Sequence, residues 1–196
     1  MSDSALRAII GLGNPGAEYA RTRHNAGFWF TDQFVEQQRG TFRREAKFHG
    51  DLARIKLGAQ EVLVLRPSTF MNRSGTAVQA LAAFYKLQPA DLLIVHDELD
   101  LPPGTARLKN GGGHGGHNGL RDLHRVLGAD YRRLRIGVGH PGQKELVMHY
   151  LTETRVSKAD EALILGAIID ALKAVETWLG GSWDKAVHQL HTQKAE

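Results

Sequence analysis

Apolar and polar positions alternate along the chain with two periods, that of strands and that of helices. Short apolar runs bounded by turn residues predict strands. The run at 92–95 is continuous, as in a strand that is covered on both faces. Strands are predicted at residues 6–10, 92–95 and 133–138, and a hairpin at 51–57 and 61–65 around Gly58.

Helical spacing of apolar residues marks four further segments. The first begins near Asn25, has one apolar side, and should end at Gly40. That side is formed by Phe28, Phe30, Phe34 and Val35. The other predicted helices cover residues 76–85, 165–179 and 183–190. Because strands and helices alternate, the sequence predicts an α/β fold.

Length and composition are those of a globular chain, and 196 residues suggest one domain over residues 1–196. The sequence has no cysteine, which excludes a disulfide scaffold, a thiolate nucleophile and a thiolate metal site. Residues 1–7 lack the pattern of a signal peptide, and no apolar run reaches the length of a membrane span. We therefore expect a cytoplasmic protein without a membrane partner.

The charge balance is mildly basic. Lysine and arginine number 25 against 21 aspartate and glutamate, and the sequence pI is about 9.5. This balance is compatible with an anionic partner such as nucleic acid, and equally with a basic surface that binds none.

Three glycines follow the first predicted strand, in the segment Gly11-Leu12-Gly13-Asn14-Pro15-Gly16. Their spacing matches the dinucleotide-binding pattern, but that pattern also needs a helix at the third glycine and an acidic residue after a second strand. Pro15 precedes the third glycine, and Asp32 falls in a helix-like stretch. A sharp turn that holds Asn14 at a sheet end is the better interpretation.

Two candidate catalytic residues lie near predicted sheet ends. His24 follows the turn and precedes the aromatic helix, and Asp97 ends the strand at 92–95. An aspartate in this position can orient a histidine and stabilise its charged form. The alternatives, in which His24 caps the helix and Asp97 caps a turn, remain open at this point.

Three asparagines, Asn14, Asn72 and Asn118, lie beside glycine, proline or methionine. Their amides could donate to a carbonyl oxygen or an oxyanion, although turn asparagines are commoner. Met71 could form an apolar wall or belong to the core.

Residues 111–119 are unusually rich in glycine, which allows close approach to a ligand or loop motion. The Walker pattern is absent. His114 and His117 could bind a metal but lack an assured third ligand. His96-Asp97 is similar to the pair of HD metal phosphohydrolases, yet here it follows a strand rather than lying on a helix.

A serine nucleophile is not favoured either. No Gly-x-Ser-x-Gly elbow occurs, and Ser68 and Ser74 have no evident base beside them. Direct attack by water is therefore the simplest chemistry.

Five segments occur in one order that resembles the bacterial peptidyl-tRNA hydrolases over nearly the whole length. They are Gly11–Gly16, Thr22–Gly27, Thr69–Gly75, His96–Asp100 and Gly111–Gly119. The resemblance implies a monomeric α/β fold with a mixed, twisted sheet flanked by helices. It also implies cleavage of the ester between peptide and tRNA, with no cofactor and no metal.

Site residues follow from the same resemblance. It implies that His24 is the catalytic base and Asp97 its partner. Substrate binding is implied for Asn14, Tyr19, Met71, Asn72 and Asn118, and binding of the tRNA 5′ phosphate for Lys109 and Arg135. For the neighbouring Arg107 and Arg133 the resemblance supports the transfer of a role less strongly.

Two rival functions are a nicotinamide-dependent oxidoreductase and an RNA-binding module without catalysis. Hydrolysis of N-acetyl-aminoacyl-tRNA in the presence of a chelator separates both from the hydrolase.

Overall fold

The computed structural model describes residues 6–192, in which seven strands form one mixed sheet. The strands are β1 Arg7–Gly11, β2 Arg43–Glu45, β3 Gly50–Leu57, β4 Gln60–Pro67, β5 Leu92–Glu98, β6 Ala106–Asn110 and β7 Arg132–Gly137. Their order across the sheet is β2-β3-β4-β1-β5-β7-β6. The four central strands β4, β1, β5 and β7 pair in parallel, while β2, β3 and β6 pair antiparallel with their neighbours.

Helices cover both faces of this sheet. They are α1 Ala26–Gln37, α2 Ser74–Tyr85, α3 Asn118–Leu127, α4 Lys158–Leu179 and α5 Trp183–His191. One core lies between the sheet and α1, α4 and α5, and a second lies between the sheet and α2 and α3. The α/β fold predicted from the sequence is therefore confirmed.

The predicted strands and helices are all present, but two helix ends differ by more than two residues. α4 begins at Lys158 rather than at residue 165. α1 ends at Gln37, and the left-handed residue beyond it is Arg39, with φ 55°, rather than Gly40. A Cβ at Gly40 would meet the end of the Ile55 side chain, which would have to shift to make room. The sequence did not predict β2, β6 or α3. β6 has only two core-facing residues, Ala106 and Leu108, between polar ones.

Helix α1 begins unusually close to the sheet. A Cβ on Gly27 would lie 2.4 Å from Val95 O and 2.5 Å from Leu12 O, so only glycine allows this approach. The residues just before α1 are consequently held at the carboxyl ends of β1 and β5. In open α/β sheets this is the edge at which ligands bind.

Within residues 6–192, no helix combines the length and the apolar character that crossing a membrane requires.

Candidate active site

His24 lies in the 3-10 turn Arg23–Asn25 that leads into α1, and it is only 3% exposed. Its Nδ1–H donates to Asp97 Oδ2 over 2.8 Å. Asp97 is the penultimate residue of β5. The close packing of α1 on the sheet therefore brings together two residues that are 73 positions apart. The structure thus joins the two candidate catalytic residues.

Asp97 has a second imidazole partner that the sequence analysis missed. His117 Nε2–H donates to Asp97 Oδ1, also over 2.8 Å. The Nδ1 atom of His117 accepts from the backbone N–H groups of Gly119 and Leu120 at the start of α3, which assigns the proton to Nε2. His117 was considered only as a metal ligand. Its position directly before the helical run of α3 was the available signal, because a residue there can cap the helix.

These contacts determine the charge of the carboxyl group. Burial alone would raise the pKa of Asp97, but the imidazoles of His24 and His117 hold that pKa below its ordinary value. Asp97 is therefore an anion that accepts one N–H hydrogen bond from each ring. The Nε2 atom of His24 remains as the ring nitrogen that can accept a proton from a ligand.

A third histidine of the site is buried and neutral. Burial and the neighbouring His117 lower the pKa of His96 to about 3. Its Nδ1–H donates to the backbone O of Asp97 over 2.8 Å, and its ring lies edge-on to that of His117. His96 therefore adds no positive charge beside the Asp97 carboxylate at neutral pH.

His24, Asp97 and His117 also form the one group in residues 6–192 whose ligand atoms are close enough to hold a metal, all within 4.8 Å of one another. Each facing N···O pair is already a direct hydrogen bond of 2.8 Å. A metal ion would have to displace both ring protons. The two imidazole rings and the carboxylate are thus already joined by hydrogen bonds.

A cavity of about 680 Å³ opens beside these residues, and we call it the cleft. Five of the nine predicted site residues line the cleft, namely His24, Asp97, Lys109, Asn118 and Arg135. The lining also includes the apolar residues Val147, Met148 and Leu151, which we call the apolar wall. The remaining predicted residues do not line the cleft; they are Asn14, Tyr19, Met71 and Asn72.

Asn14 is nevertheless joined to the turn that holds His24. Its backbone N–H donates to Asn25 Oδ1 over 2.8 Å, and Asn25 Nδ2–H returns a bond to Asn14 O over 2.9 Å. The side-chain oxygen of Asn14 accepts Met71 N–H over 2.7 Å, which leaves its Nδ2 as the group that can donate to a ligand. Asn25, next to His24, was not identified from the sequence.

The other three predicted substrate residues lie around this junction. Met71 is buried, and its sulfur fills the space where a Cβ on Gly119 would be, only 2.6 Å away. Tyr19 contacts the exposed Phe70 edge-on, with ring centroids 6.4 Å apart. Asn72 is exposed in the turn that begins with Met71.

The predicted phosphate-binding pair lies on β6 and β7. Lys109 is exposed, and Arg135 is partly exposed with Nη1 3.8 Å from Glu98 Oε1. Arg133, directly opposite Lys109, is in contrast 2% exposed. Its guanidinium lines the cleft and donates to the carbonyl oxygens of Gly112 and Gly113, so it anchors the glycine-rich loop.

Comparisons with known proteins agree on one family. A family model described as peptidyl-tRNA hydrolase matches residues 8–196. The peptidyl-tRNA hydrolase of Neisseria meningitidis serogroup C is 48% identical over 191 residues, which cover 97% of this chain and 99% of the relative. That of Halorhodospira halophila is 50% identical over 187 residues, or 95% and 96% of the two chains. The solved structure of Acinetobacter baumannii peptidyl-tRNA hydrolase is similar with a TM-score of 0.93 at 46% identity, covering 96% of each chain.

Proposed function

The chain belongs to the peptidyl-tRNA hydrolase family and is a carboxylic ester hydrolase that acts on peptidyl-tRNA, and from this premise we propose that His24 activates the attacking water. One observation carries the proposal: the 2.8 Å hydrogen bond from His24 Nδ1–H to the buried Asp97 carboxylate. A carboxylate on one ring nitrogen fixes the tautomer in which the other nitrogen is a base.

In the proposed reaction, His24 Nε2 removes a proton from water as the water oxygen attacks the ester carbonyl carbon. Asp97 stabilises the imidazolium that forms. The bond between the carbonyl carbon and the ribose oxygen then breaks, and the imidazolium returns its proton to that oxygen. The products are the free peptide and the tRNA.

The charge that develops on the carbonyl oxygen needs a hydrogen-bond donor. We assign this role to the Nδ2 amide of Asn14, because its Oδ1 is already held by Met71 N–H. Asn72 is the alternative donor. Asn118 lines the cleft and would bind the peptide backbone, while Tyr19 and Met71 would border the bound 3′ end.

Lys109 and Arg135 are proposed to bind a tRNA phosphate. Lys109 is exposed and both side chains line the cleft, and an exposed ammonium beside a guanidinium suits a phosphate. We further propose that residues 1–196 act as one monomeric unit in the cytoplasm, where translation produces the substrate. No metal or organic cofactor takes part in the proposed chemistry.

Replacement of Asp97 by asparagine tests the proposal. The amide would favour the opposite tautomer of His24, so single-turnover hydrolysis of N-acetyl-aminoacyl-tRNA should fall about a thousandfold or more, with chelator present. Binding of uncharged tRNA should remain close to wild type. Asp100→Asn, at an exposed aspartate that also lines the cleft, is the matched control and should stay within about twofold. Near-normal hydrolysis by Asp97→Asn would show the assignment to be wrong.

A further inference from the structure

Two arginines closely precede His24 in the sequence, and only one of them is exposed. Arg21 is an exposed surface residue that pairs with Glu161 over 2.9 Å. Arg23, the residue directly before His24, is 7% exposed. Arginine is almost never buried unless it is paired, so its contacts in the interior need an explanation.

Arg23 is held mainly by one short segment of the chain, and its Nη2 also forms a longer ion pair of 3.5 Å with Asp160 Oδ2 in α4. Its guanidinium lies over the ring of Tyr150, with 3.9 Å between the guanidinium carbon and the ring centroid. Its Nη1 donates to Tyr150 O over 3.3 Å and to Thr154 Oγ1 over 3.2 Å. The stack and both bonds therefore involve the π-helical turn His149–Glu153 and the residue after it. Such π-turns are frequent at functional sites.

This segment supplies the apolar wall of the cleft that His24 and Asp97 also line. Leu151 lies in the π-turn, and Val147 and Met148 directly precede it. The Tyr150 hydroxyl donates to Val138 O, just beyond β7, over 2.6 Å. The π-turn is thus fixed to the sheet on one side and to the residue before His24 on the other.

We propose that Arg23 is a positioning residue. By stacking on Tyr150, it fixes the position of the apolar wall of Val147, Met148 and Leu151 relative to His24. The wall then confines the acyl part of the substrate beside the base. This role rests on the proposed function, because it needs the reacting ester to lie at His24. Arg23 itself touches neither substrate nor water.

A double-mutant cycle tests this role, with Arg23→Met and Tyr150→Leu made singly and together. Each single variant should raise KM for N-acetyl-aminoacyl-tRNA about tenfold with a smaller change in kcat, and the double variant should be no worse than the poorer single one. The acid limb of the kcat profile should not move, because the bond between His24 and Asp97 is kept. Arg21→Met is the matched control and should change KM less than about twofold.

Stability and activity are measured on the same preparations. A purely structural role would lower the melting temperature and leave KM unchanged in the folded protein, and that result would overturn the proposal. Additive losses in the cycle would overturn it as well. If Arg23→Met does not fold, Arg23→Lys takes its place in the cycle, because lysine keeps the charge but not the planar fork.

The cycle remains informative if the base assignment fails. Normal activity of Asp97→Asn would reject the proposed mechanism. The cycle would still measure the coupling between Arg23 and Tyr150, because that coupling is calculated from KM values alone. An additive cycle with an inactive Asp97→Asn would reject only the positioning role.

Discussion

Replacement of the buried His96 by glutamine should make the protein more resistant to acid. The unfolded chain takes up a proton at this histidine near its ordinary pKa of 6.5, whereas burial and His117 lower the pKa of folded His96 to about 3. Between these values the unfolded state binds the extra proton, so the free energy of unfolding falls as the pH falls. Glutamine cannot be protonated and can still donate to Asp97 O.

The size of the effect follows from the two pKa values. Each pH unit below 6.5 costs about 1.4 kcal/mol, so His96 alone should remove about 2 to 3 kcal/mol of stability between pH 7 and pH 4.5. In a chain of this length that corresponds to roughly 5 to 10 °C in melting temperature. The low pKa of folded Asp97 adds a loss only below the ordinary aspartate range near 3.8, which the pH interval avoids.

The assay is urea unfolding of wild type and His96→Gln at several pH values from 7 to 4.5. All other histidines are common to both proteins, so the difference isolates His96. Wild type should lose about 2 to 3 kcal/mol more than the variant over the interval. His188→Gln, at an exposed histidine, controls for the loss of an imidazole as such. Stability curves of wild type and His96→Gln that stay parallel would refute the reasoning.

Two further predictions concern the basic strands beside the cleft. Lys109→Ala should weaken tRNA binding and reduce the slope of log K against log salt concentration by about one unit, while hydrolysis of a minimal ester substrate stays unchanged. An equal loss of activity on both substrates would contradict the phosphate role. Arg133→Lys should weaken tRNA binding less than Lys109→Ala does. It should also make the amide hydrogens of the glycine-rich loop exchange faster, because lysine cannot donate to both loop carbonyls. Unchanged exchange would contradict the anchor role. The neighbouring Arg132→Lys, whose side chain packs on Trp183 instead, is the matched control.

Much of the fold was predictable because the central strands and long helices carry strong local patterns. The run at 92–95 is fully buried in β5, and the residues around Gly58 do form the turn of a hairpin. Strand β6 was missed because its own sequence has no clear strand pattern. It is extended because it pairs with β7. α3 was missed because glycines conceal its start, where His117 supplies the cap.

The candidate site depended more on the family resemblance than on local sequence patterns. The resemblance to a family selected His24 and Asp97, and the structure brings them into contact. The position of His117 before α3 could have indicated a helix cap, but its bond to Asp97 could not be predicted, because that bond depends on how α3 packs beside the end of β5. Arg133 and Arg135 have the same local pattern and both line the cleft, and only burial distinguishes the loop anchor Arg133 from the more exposed Arg135.

The most direct test of the proposed mechanism is the single-turnover rate of ester cleavage by His24→Ala, with enzyme in excess over N-acetyl-aminoacyl-tRNA. Without the base the rate should fall by about a thousandfold or more, while the Kd for tRNA stays within a few-fold of wild type. His140→Ala, at an exposed histidine that also lines the cleft, should cleave at nearly the wild-type rate. A near-normal rate for His24→Ala would contradict the role of His24 as the base.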